Sequence, residues 1–333
     1  MHAPRLIQVD PAAPDLAQLA PAAALLRKGG LVAFPTETVY GLGADARNPA
    51  AVARIFESKG RPATNPLIVH VADVDAARAI AATWPPIADR LAAAFWPGPL
   101  TLLLPKRPEI PDLVTAGLGA VGVRIPAHPV ALALLKEAGI PVAAPSANPY
   151  MGISPTEARH VLAGLGDRVD AIVDGGSCAV GIESTVLDLT GEVPTVLRPG
   201  GVSLDAIRRI APEARMAHLV PGEGPQASPG LARRHYAPKA PLSLIDGREA
   251  LVPALAAAGG GPVAVLTIGP APAGLTQARV HELPRDPEGY AAALYATLHA
   301  LDAQGVSRIL VERPPETDAW TAVRDRLGRA AER

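Results

Sequence analysis

The sequence has few of the residues on which several large protein classes depend. It contains one cysteine, Cys178, among 333 residues, so a disulfide framework within the chain and a cysteine-rich zinc site are both excluded. Aromatic residues make up 3%, which leaves few rings to stack on nucleic-acid bases. The 31 Lys and Arg residues balance 32 Asp and Glu residues, for a formal net charge of -1. An anionic ligand therefore requires a local cluster of cations, because the overall charge attracts none.

Four common catalytic or nucleotide-binding motifs are also absent. The sequence has no G-x-x-x-x-G-K-[ST] loop, and Gly41-x-Gly43 lacks the third glycine of the dinucleotide-binding fingerprint. It has no G-x-S-x-G elbow and no H-E-x-x-H zinc motif. If the chain binds a nucleotide, we expect it to use a less common type of site.

Long apolar runs are interrupted. The longest uncharged stretch, residues 250–278, would span a bilayer by its length, but repeated Gly and Pro residues break it. The first 14 residues hold no apolar h-region of a secretory signal. We therefore expect a cytoplasmic protein that has no contact with a membrane.

Hydrophobic patterning predicts an α/β protein. Short apolar runs bounded by Gly and Pro alternate with Ala- and Leu-rich segments of helical spacing, which is typical of strands buried on both faces. The predicted strands cover residues 31–34, 67–71, 100–104, 121–125, 142–144, 171–173, 185–189 and 195–197. The predicted helices cover residues 17–28, 50–57, 74–82, 87–94, 130–137 and 155–163, with another near 204–210. Because no helix fits between the last two strands, we expect a twisted mixed sheet with helices on both sides.

The chain divides into three predicted parts. Residues 1–211 carry this α/β pattern, and residues 212–241 form a linker rich in Pro and Gly. Residues 242–333 form a smaller, Rossmann-like α/β domain, with strands at 242–245, 263–267 and 309–311 and helices at 250–257, 290–304 and 320–330. The linker also contains Arg233, Arg234, His235, Tyr236 and Lys239, which an inert spacer does not need. Two interpretations stay open: a plain connector, or a lid that shields a labile intermediate from water.

Hydroxyl-bearing and cationic residues follow the early predicted strands, where α/β sheets commonly place their ligand crevice. The segment PTETVYGLG supplies Thr36 and Thr38, and its alternative interpretation is a strand-to-helix turn capped by Thr38. The loop SKGRPATNP holds Lys59 and Arg61 between glycine and prolines, either as a stiff polyphosphate-binding loop or as a solvated turn. His70 lies in the next strand and is equally well explained as a core histidine.

The middle strands supply further candidates. Arg124 lies in an apolar strand and so needs a partner, which is either an Asp or Glu of this chain or a ligand anion. Ser146 and Asn148 follow the strand at 142–144. The tetrad from Ser154 to Glu157 predicts a capping box with a helix that starts at residue 155. Such a start either binds an anion at its free N–H groups or binds nothing.

The last two strands of the large pattern add Ser184 and Arg198. Cys178 nearby has no base beside it in the sequence, so we predict a buried, inert thiol rather than a nucleophile. Across all these segments, cations and small hydroxyls outnumber acid/base pairs. That balance suits an anionic substrate whose reaction needs charge neutralisation more than proton transfer.

The same segments resemble a known family. The motifs PTETVYGLG, KGRP-x-x-NPL, VRIP, APSAN, EST and LRPGG, in this order and spacing, resemble the YrdC-like threonylcarbamoyl-AMP synthases from about residue 17 to 210. The segment SPGLARRHYAPKAPL and the domain after it resemble the long form of that family, which has an additional C-terminal domain. The resemblance implies a nucleotidyltransferase that forms threonylcarbamoyl-AMP and pyrophosphate from L-threonine, bicarbonate or CO2, and ATP. The product would serve N6-threonylcarbamoylation of adenosine 37 in tRNA.

The resemblance also implies roles for individual residues. The residues around L-threonine would be Thr36, His70, Arg124, Ala144 and Ser184. The residues around ATP would be Lys59, Arg61, Ala63, Asn65, Ser146, Asn148, Ser154, Arg198 and Tyr236, with Lys59 and Arg61 as the catalytic pair. No protein metal ligand is implied, because Mg2+ would arrive with ATP.

The implied partners are downstream tRNA threonylcarbamoyltransferase proteins, and direct binding of tRNA is a weaker expectation. Two other functions stay open. One is an enzyme that forms carbamoyl-adenylate from carbamoyl phosphate, and the other is a non-catalytic RNA-binding protein.

Overall fold

The computed structural model of the chain describes residues 3–217, 228–230 and 234–332. Residues 218–227 and 231–233 of the predicted linker, Arg233 among them, lie outside the described residues.

Within the described residues, the N-terminal region forms one 11-stranded mixed sheet. Its strands are β1 (Arg5–Gln8), β2 (Val32–Phe34), β3 (Gly41–Asp45), β4 (Ile68–His70), β5 (Leu100–Pro105), β6 (Ala120–Arg124), β7 (Val142–Ala143), β8 (Ala171–Asp174), β9 (Thr185–Asp188), β10 (Thr195–Arg198) and β11 (Arg215–Met216). They are ordered β1-β8-β2-β3-β7-β4-β6-β5-β9-β10-β11 across the sheet. Parallel neighbours such as β4 and β6 alternate with antiparallel ones such as β5 and β6, so the predicted mixed sheet is confirmed.

Helices cover both faces of this sheet. They are α1 (Leu16–Arg27), α2 (Pro49–Lys59), α3 (Val74–Arg78), α4 (Pro86–Phe95), α5 (Asp112–Thr115), α6 (Pro129–Ala138), α7 (Ala158–Leu165) and α8 (Leu204–Arg208). Successive strand residues point to opposite faces, so Val142 packs with Leu19 and Leu134 of α1 and α6, whereas Ala143 belongs to the core that contains Phe56 of α2. The prediction of helices on both sides is confirmed.

The C-terminal region forms a second, parallel sheet. Its strands are β12 (Leu242–Ile245), β13 (Val263–Ile268), β14 (Arg279–Leu283) and β15 (Arg308–Glu312), in the order β12-β15-β13-β14. Its helices are α9 (Leu251–Ala256), α10 (Pro287–Ala303) and α11 (Thr321–Ala331). This arrangement confirms the predicted smaller α/β fold. The proposed division at residues 211 and 241 stays a prediction.

One apolar core joins the two regions. Val39 and Ile182 of the N-terminal region and Tyr236 of the linker pack into the same buried cluster as Tyr290 and Leu294 of α10. The core of the smaller region is therefore completed by residues of the larger one.

One local prediction and one of the alternative interpretations are wrong. The helix predicted to start at residue 155 is α7, which starts at Ala158 with Glu157 as its N-cap and no side-chain capping bond. Ser154 does not cap it, because its hydroxyl donates to the carboxylate of Glu183 at 2.5 Å. Thr38 does not cap a helix either, because the chain turns from β2 directly into the antiparallel strand β3.

The sequence analysis also missed several elements, namely β1, β3, β11, β14 and α5. No helix among the described residues is long and apolar enough to cross a membrane.

Candidate active site

One pocket collects the polar residues that follow the central strands. The predicted site residues on its wall are Thr36, Arg61, His70, Arg124, Ala144, Ser146, Ser184, Arg198 and Tyr236. The wall also includes Thr38, Glu183, Pro229, Gly230 and His235, to which the sequence analysis gave no substrate contact. Arginines from three distant parts of the sequence, Arg61, Arg124 and Arg198, thus face one hollow.

The turn between β2 and β3 presents two threonine hydroxyls to this pocket. The Thr36 hydroxyl donates to the Val39 carbonyl at 2.6 Å and lies 2.8 Å from the Thr38 hydroxyl. The Arg124 guanidinium donates to the Thr38 hydroxyl at 2.9 Å. The turn is therefore fixed by its own hydroxyl groups and by a cation from the middle of the sheet.

Arg124 has a partner within the chain, as one of the two interpretations predicted. Its Nη2 lies 2.7 Å from Glu37 Oε1, and its Nε donates to the Gly98 carbonyl at 3.1 Å. His70 lies beside it on the neighbouring strand β4. Burial and the Arg124 charge lower the pKa of His70 to about 3, so its imidazole is neutral at neutral pH. This end of the pocket offers a cation and an uncharged hydrogen-bonding ring.

Lys59 and Arg61 lie around the C-terminal end of α2. The Lys59 ammonium donates to the backbone carbonyls of Ser146 and Asn148, so it lies behind the wall rather than on it. Arg61 donates to the Asn65 side chain and to the Pro66 carbonyl, both at 2.7 Å. Burial, together with neighbouring cations, lowers the pKa of Lys59, and burial lowers that of Arg61 to about 10. A bound anion would offset the cost of burying these charges.

The remaining predicted ATP residues occupy three kinds of position. Asn65, Asn148 and Ser154 are buried: Asn65 and Ser154 support the wall residues Arg61 and Glu183 through hydrogen bonds, and the Asn148 carbonyl accepts from Lys59 behind the wall. Ala63 is exposed and does not line the pocket. Arg198 donates to the Ser184 carbonyl at 2.8 Å, and the Ser184 hydroxyl is 2.8 Å from the Thr101 hydroxyl.

The described part of the linker closes one side of the pocket. Arg198 donates to the Pro229 carbonyl at 3.0 Å, and the Ala237 N–H donates to the Met151 carbonyl at 3.0 Å. Tyr236 is buried, and no partner for its hydroxyl occurs among the described residues. A buried hydroxyl without a partner, on the wall of a polar pocket, is well placed to meet a ligand.

The pocket offers little for a resident metal. Glu183, the carboxylate on its wall, is paired with Arg326 of α11, and Glu37, which does not line the pocket, is paired with Arg124. No group of three or more His, Cys, Asp or Glu residues suited to a metal occurs in the part of the chain that the structure describes. Cys178 is buried and its burial raises its pKa, which agrees with the predicted inert thiol.

Comparison with known proteins identifies the family. A family model described as "Telomere recombination" matches residues 24–200, and one described as "Threonylcarbamoyl-AMP synthase, C-terminal domain" matches residues 202–332. A threonylcarbamoyl-AMP synthase of Bacillus subtilis is 43% identical over 321 residues, which cover 94% of this chain and 93% of the relative. The chain belongs to the threonylcarbamoyl-AMP synthase family.

Other relatives agree with this assignment. A threonylcarbamoyl-AMP synthase of Pyrococcus abyssi is 43% identical over 319 residues, 93% of either chain. The crystal structure of P. abyssi Sua5 complexed with L-threonine superposes with a TM-score of 0.90 at 40% identity, and covers 98% of this chain and 97% of that one. The predicted membership of the long form of the threonylcarbamoyl-AMP synthase family and the predicted fold are confirmed. The prediction of an enzyme, a nucleotidyltransferase of this family, is confirmed as well.

Proposed function

We propose that this chain forms threonylcarbamoyl-AMP and pyrophosphate from L-threonine, bicarbonate or CO2, and ATP. The observation that carries the proposal is the convergence of Arg61, Arg124 and Arg198 on one pocket lined with small hydroxyl groups. The P. abyssi relative described with L-threonine supports it. An amino acid with a carboxylate and a hydroxyl matches one end of this pocket, and a polyphosphate matches the other.

The threonine end would be formed by Thr36, His70, Arg124, Ala144 and Ser184. Arg124 supplies a guanidinium for the substrate carboxylate, which forms strong charge-assisted hydrogen bonds. The neutral ring of His70 and the Ser184 hydroxyl supply partners for the substrate hydroxyl. The small side chain of Ala144 leaves room between them.

The nucleotide end would be formed by Lys59, Arg61, Asn65, Ser146, Asn148, Ser154, Arg198 and Tyr236. In the reaction, the threonine amine adds to CO2 and releases a proton to give a carbamate, and a carbamate oxygen attacks the α-phosphorus of ATP. The bond between the α-phosphorus and the oxygen that bridges it to the β-phosphorus breaks, and pyrophosphate leaves with the electron pair. Negative charge therefore grows on the leaving group, where Arg61 on the pocket wall would stabilise it and Lys59 would act from behind that wall. No protein nucleophile is needed.

Mg2+ would enter with ATP rather than with the protein. The wall carboxylate Glu183 and the nearby Glu37 are each paired with an arginine, so the phosphate oxygens are the natural ligands of Mg2+. When bound, it supplies further charge neutralisation on the phosphates. We place the reaction in the cytoplasm, with the product passed to tRNA threonylcarbamoyltransferase proteins for modification of adenosine 37 in tRNA.

The test is pyrophosphate release by the purified full chain with ATP and Mg2+. We expect release that requires both L-threonine and bicarbonate. Arg61→Met should reduce kcat/KM by roughly 100-fold, the usual size of one lost charge-stabilising donor. Arg54→Met is the matched control, because Arg54 pairs with Asp170 on the outer side of α2, and we expect it within twofold of the wild type.

Three results would contradict the proposal. Pyrophosphate release that does not depend on threonine but requires carbamoyl phosphate indicates the enzyme that forms carbamoyl-adenylate. RNA binding without any pyrophosphate release indicates the RNA-binding protein. Equal loss in both arginine variants indicates that the pocket is not where the reaction takes place.

A further inference from the structure

One arginine of the C-terminal region reaches into the wall of the pocket. Arg326 lies on α11, and its side chain is 0% exposed. Its Nε donates to Glu183 Oε2 at 2.6 Å, its Nη1 to Asp325 at 2.5 Å, and its Nη2 to the Pro199 carbonyl at 3.0 Å. All three nitrogens of the guanidinium are therefore engaged, two of them with the N-terminal region.

These two contacts hold both sides of the pocket wall. Glu183 immediately precedes Ser184, the residue just before β9, and Pro199 immediately follows Arg198, the last residue of β10. Ser184 and Arg198 are themselves bonded through the Ser184 carbonyl at 2.8 Å. The planar guanidinium bridges Glu183 and Pro199, so it fixes the spacing between Ser184, just before β9, and Arg198, at the end of its antiparallel neighbour β10.

The Glu183 carboxylate is the centre of this arrangement. Besides Arg326, it accepts hydrogen bonds from Ser154 at 2.5 Å and from Tyr295 of α10 at 3.1 Å. Burial alone would raise the pKa of Glu183, but Arg326 and Arg198 outweigh it and lower the pKa to about 2. The carboxylate therefore stays charged, and its geometry is determined from several segments at once.

The same guanidinium contacts the linker. Its Cζ lies 5.0 Å from the centre of the Tyr236 ring, a cation–π contact. Tyr236 in turn stacks on Tyr295, with ring centres 5.9 Å apart. The position of the linker and the position of Glu183 thus depend on one side chain.

We propose that Arg326 is a positioning residue for the pocket: through Glu183 and Pro199 it holds Ser184 and Arg198 at the spacing that substrate binding requires, and it seats Tyr236 over them. The inference rests on the proposed function, because it assigns Ser184 to threonine. It gives the C-terminal region a direct part in the threonine site. Arg326 touches no substrate in this account and acts only through its neighbours.

The test compares full-length variants in threonine binding by calorimetry and in steady-state kinetics. Arg326→Lys keeps a cation near Glu183 but lacks the planar fork that also reaches Pro199. We expect its Kd and KM for threonine to rise at least tenfold, with a smaller change in kcat. Arg324→Met is the matched control on the same helix, because Arg324 pairs with Glu316 on the surface, and we expect no change in either constant.

The outcome is decisive in each case. A folded Arg326→Lys variant with a threonine Kd within twofold of the wild type overturns the inference. If that variant does not fold, the double variant Glu183→Gln/Arg326→Met removes both buried charges together, and the same twofold criterion applies to it. Failure of the proposed function is distinguishable, because the wild type itself would then bind no threonine and release no pyrophosphate.

Discussion

At the scale of single residues, the pocket matches a hydroxyl group better than it matches a methyl group. Thr36, Ser184 and the neutral ring of His70 face the same space as Arg124. A site that hydrogen-bonds a substrate hydroxyl strongly rejects an analogue without it, because its own polar groups are then left unpaired. One missing methyl group costs only about 1–3 kcal/mol.

We therefore expect serine, which keeps the hydroxyl, to be the better alternative substrate, and valine to be rejected more strongly. The measurement is the rate of adenylate formation with each amino acid at equal concentration. Faster turnover of valine than of serine would show that apolar contacts dominate the site.

Arg124 and Arg326 show what single residues reveal in a sequence. A charge inside the apolar run of β6 was visible, and the choice between an Asp or Glu of this chain and a ligand anion stayed open until the structure placed Glu37 beside Arg124. Arg326 was missed, although Val323, Arg326, Leu327 and Ala330 follow the helical spacing of a buried face. Its partner Glu183 lies 143 residues away, and no local pattern joins the two.

At the scale of elements, the segment before β9 meets α10 without any side chain between them. Gly181 has φ +76°, and a Cβ there would lie 2.5 Å from the Ala291 carbonyl oxygen and 2.5 Å from the Ala292 Cα. Both contacts are with backbone atoms, which cannot rotate away as a flexible side chain can. Only glycine fits this position.

Gly181→Ala should therefore lower the melting temperature and weaken threonine-dependent turnover, because α10 must move away from the pocket wall. Gly176→Ala is its matched control: Gly176 has φ +87°, but a Cβ there meets nothing within 4 Å. We expect a larger loss in Gly181→Ala, since only that variant adds a clash to the backbone strain. Thermal melts of both variants measure it, and equal losses would mean that the contact with α10 contributes nothing.

Elements that the sequence analysis missed have physical explanations. The sequence of β3 contains Gly41 and Gly43 and reads as a turn, yet a Cβ at Gly43 would lie 2.8 Å from Phe34 and Val142 side-chain atoms on the flanking strands. Glycine is there for a close approach that only the folded sheet reveals. The false cap at Ser154 failed for a similar reason, because Glu183 offers its hydroxyl a stronger, charged partner.

At the scale of the whole molecule, buried histidines make the fold sensitive to acid. Burial lowers the pKa of His70 and His235 to about 3, and that of His160 and His299 to about 4, from an ordinary value of 6.5. At pH values between the lowered pKa of each histidine and its ordinary pKa of 6.5, the unfolded chain binds a proton at that ring and the folded chain does not. The free energy of unfolding therefore falls as the pH falls from 6.5 towards 3, by up to about 1.4 kcal/mol per pH unit for each fully buried ring.

We expect a clearly smaller free energy of unfolding at pH 5.0 than at pH 7.5, measured by urea titration. His299→Gln should flatten this dependence, because glutamine can still donate to the Ser154 carbonyl, which His299 Nε2 contacts at 3.1 Å, but takes up no proton. A wild type equally stable at both pH values would refute the expectation. If the free energy of unfolding of His299→Gln depends on pH as steeply as that of the wild type, His299 does not contribute to the pH dependence.

Fold class and the mixed sheet followed from the sequence because apolar strands and the turns between them are local patterns. The wall residues named beforehand came from strand ends and from the family resemblance, and the cap predicted at Ser154 was wrong. The contacts between the two regions did not follow from the sequence, since they join residues on either side of the linker. Val39, Ile182 and Tyr290 look like ordinary apolar positions in three separate patterns, and only the fold places them in one core.

That common core limits how freely evolution or an engineer could exchange the two regions. A chimera that joins this N-terminal region to the C-terminal half of a distant relative would set foreign side chains against Val39, Ile182 and Gly181. Such a chimera would fold only if the residues of α10 that contact the N-terminal region were exchanged together with the residues that they contact. We therefore expect the two regions to evolve together at this interface.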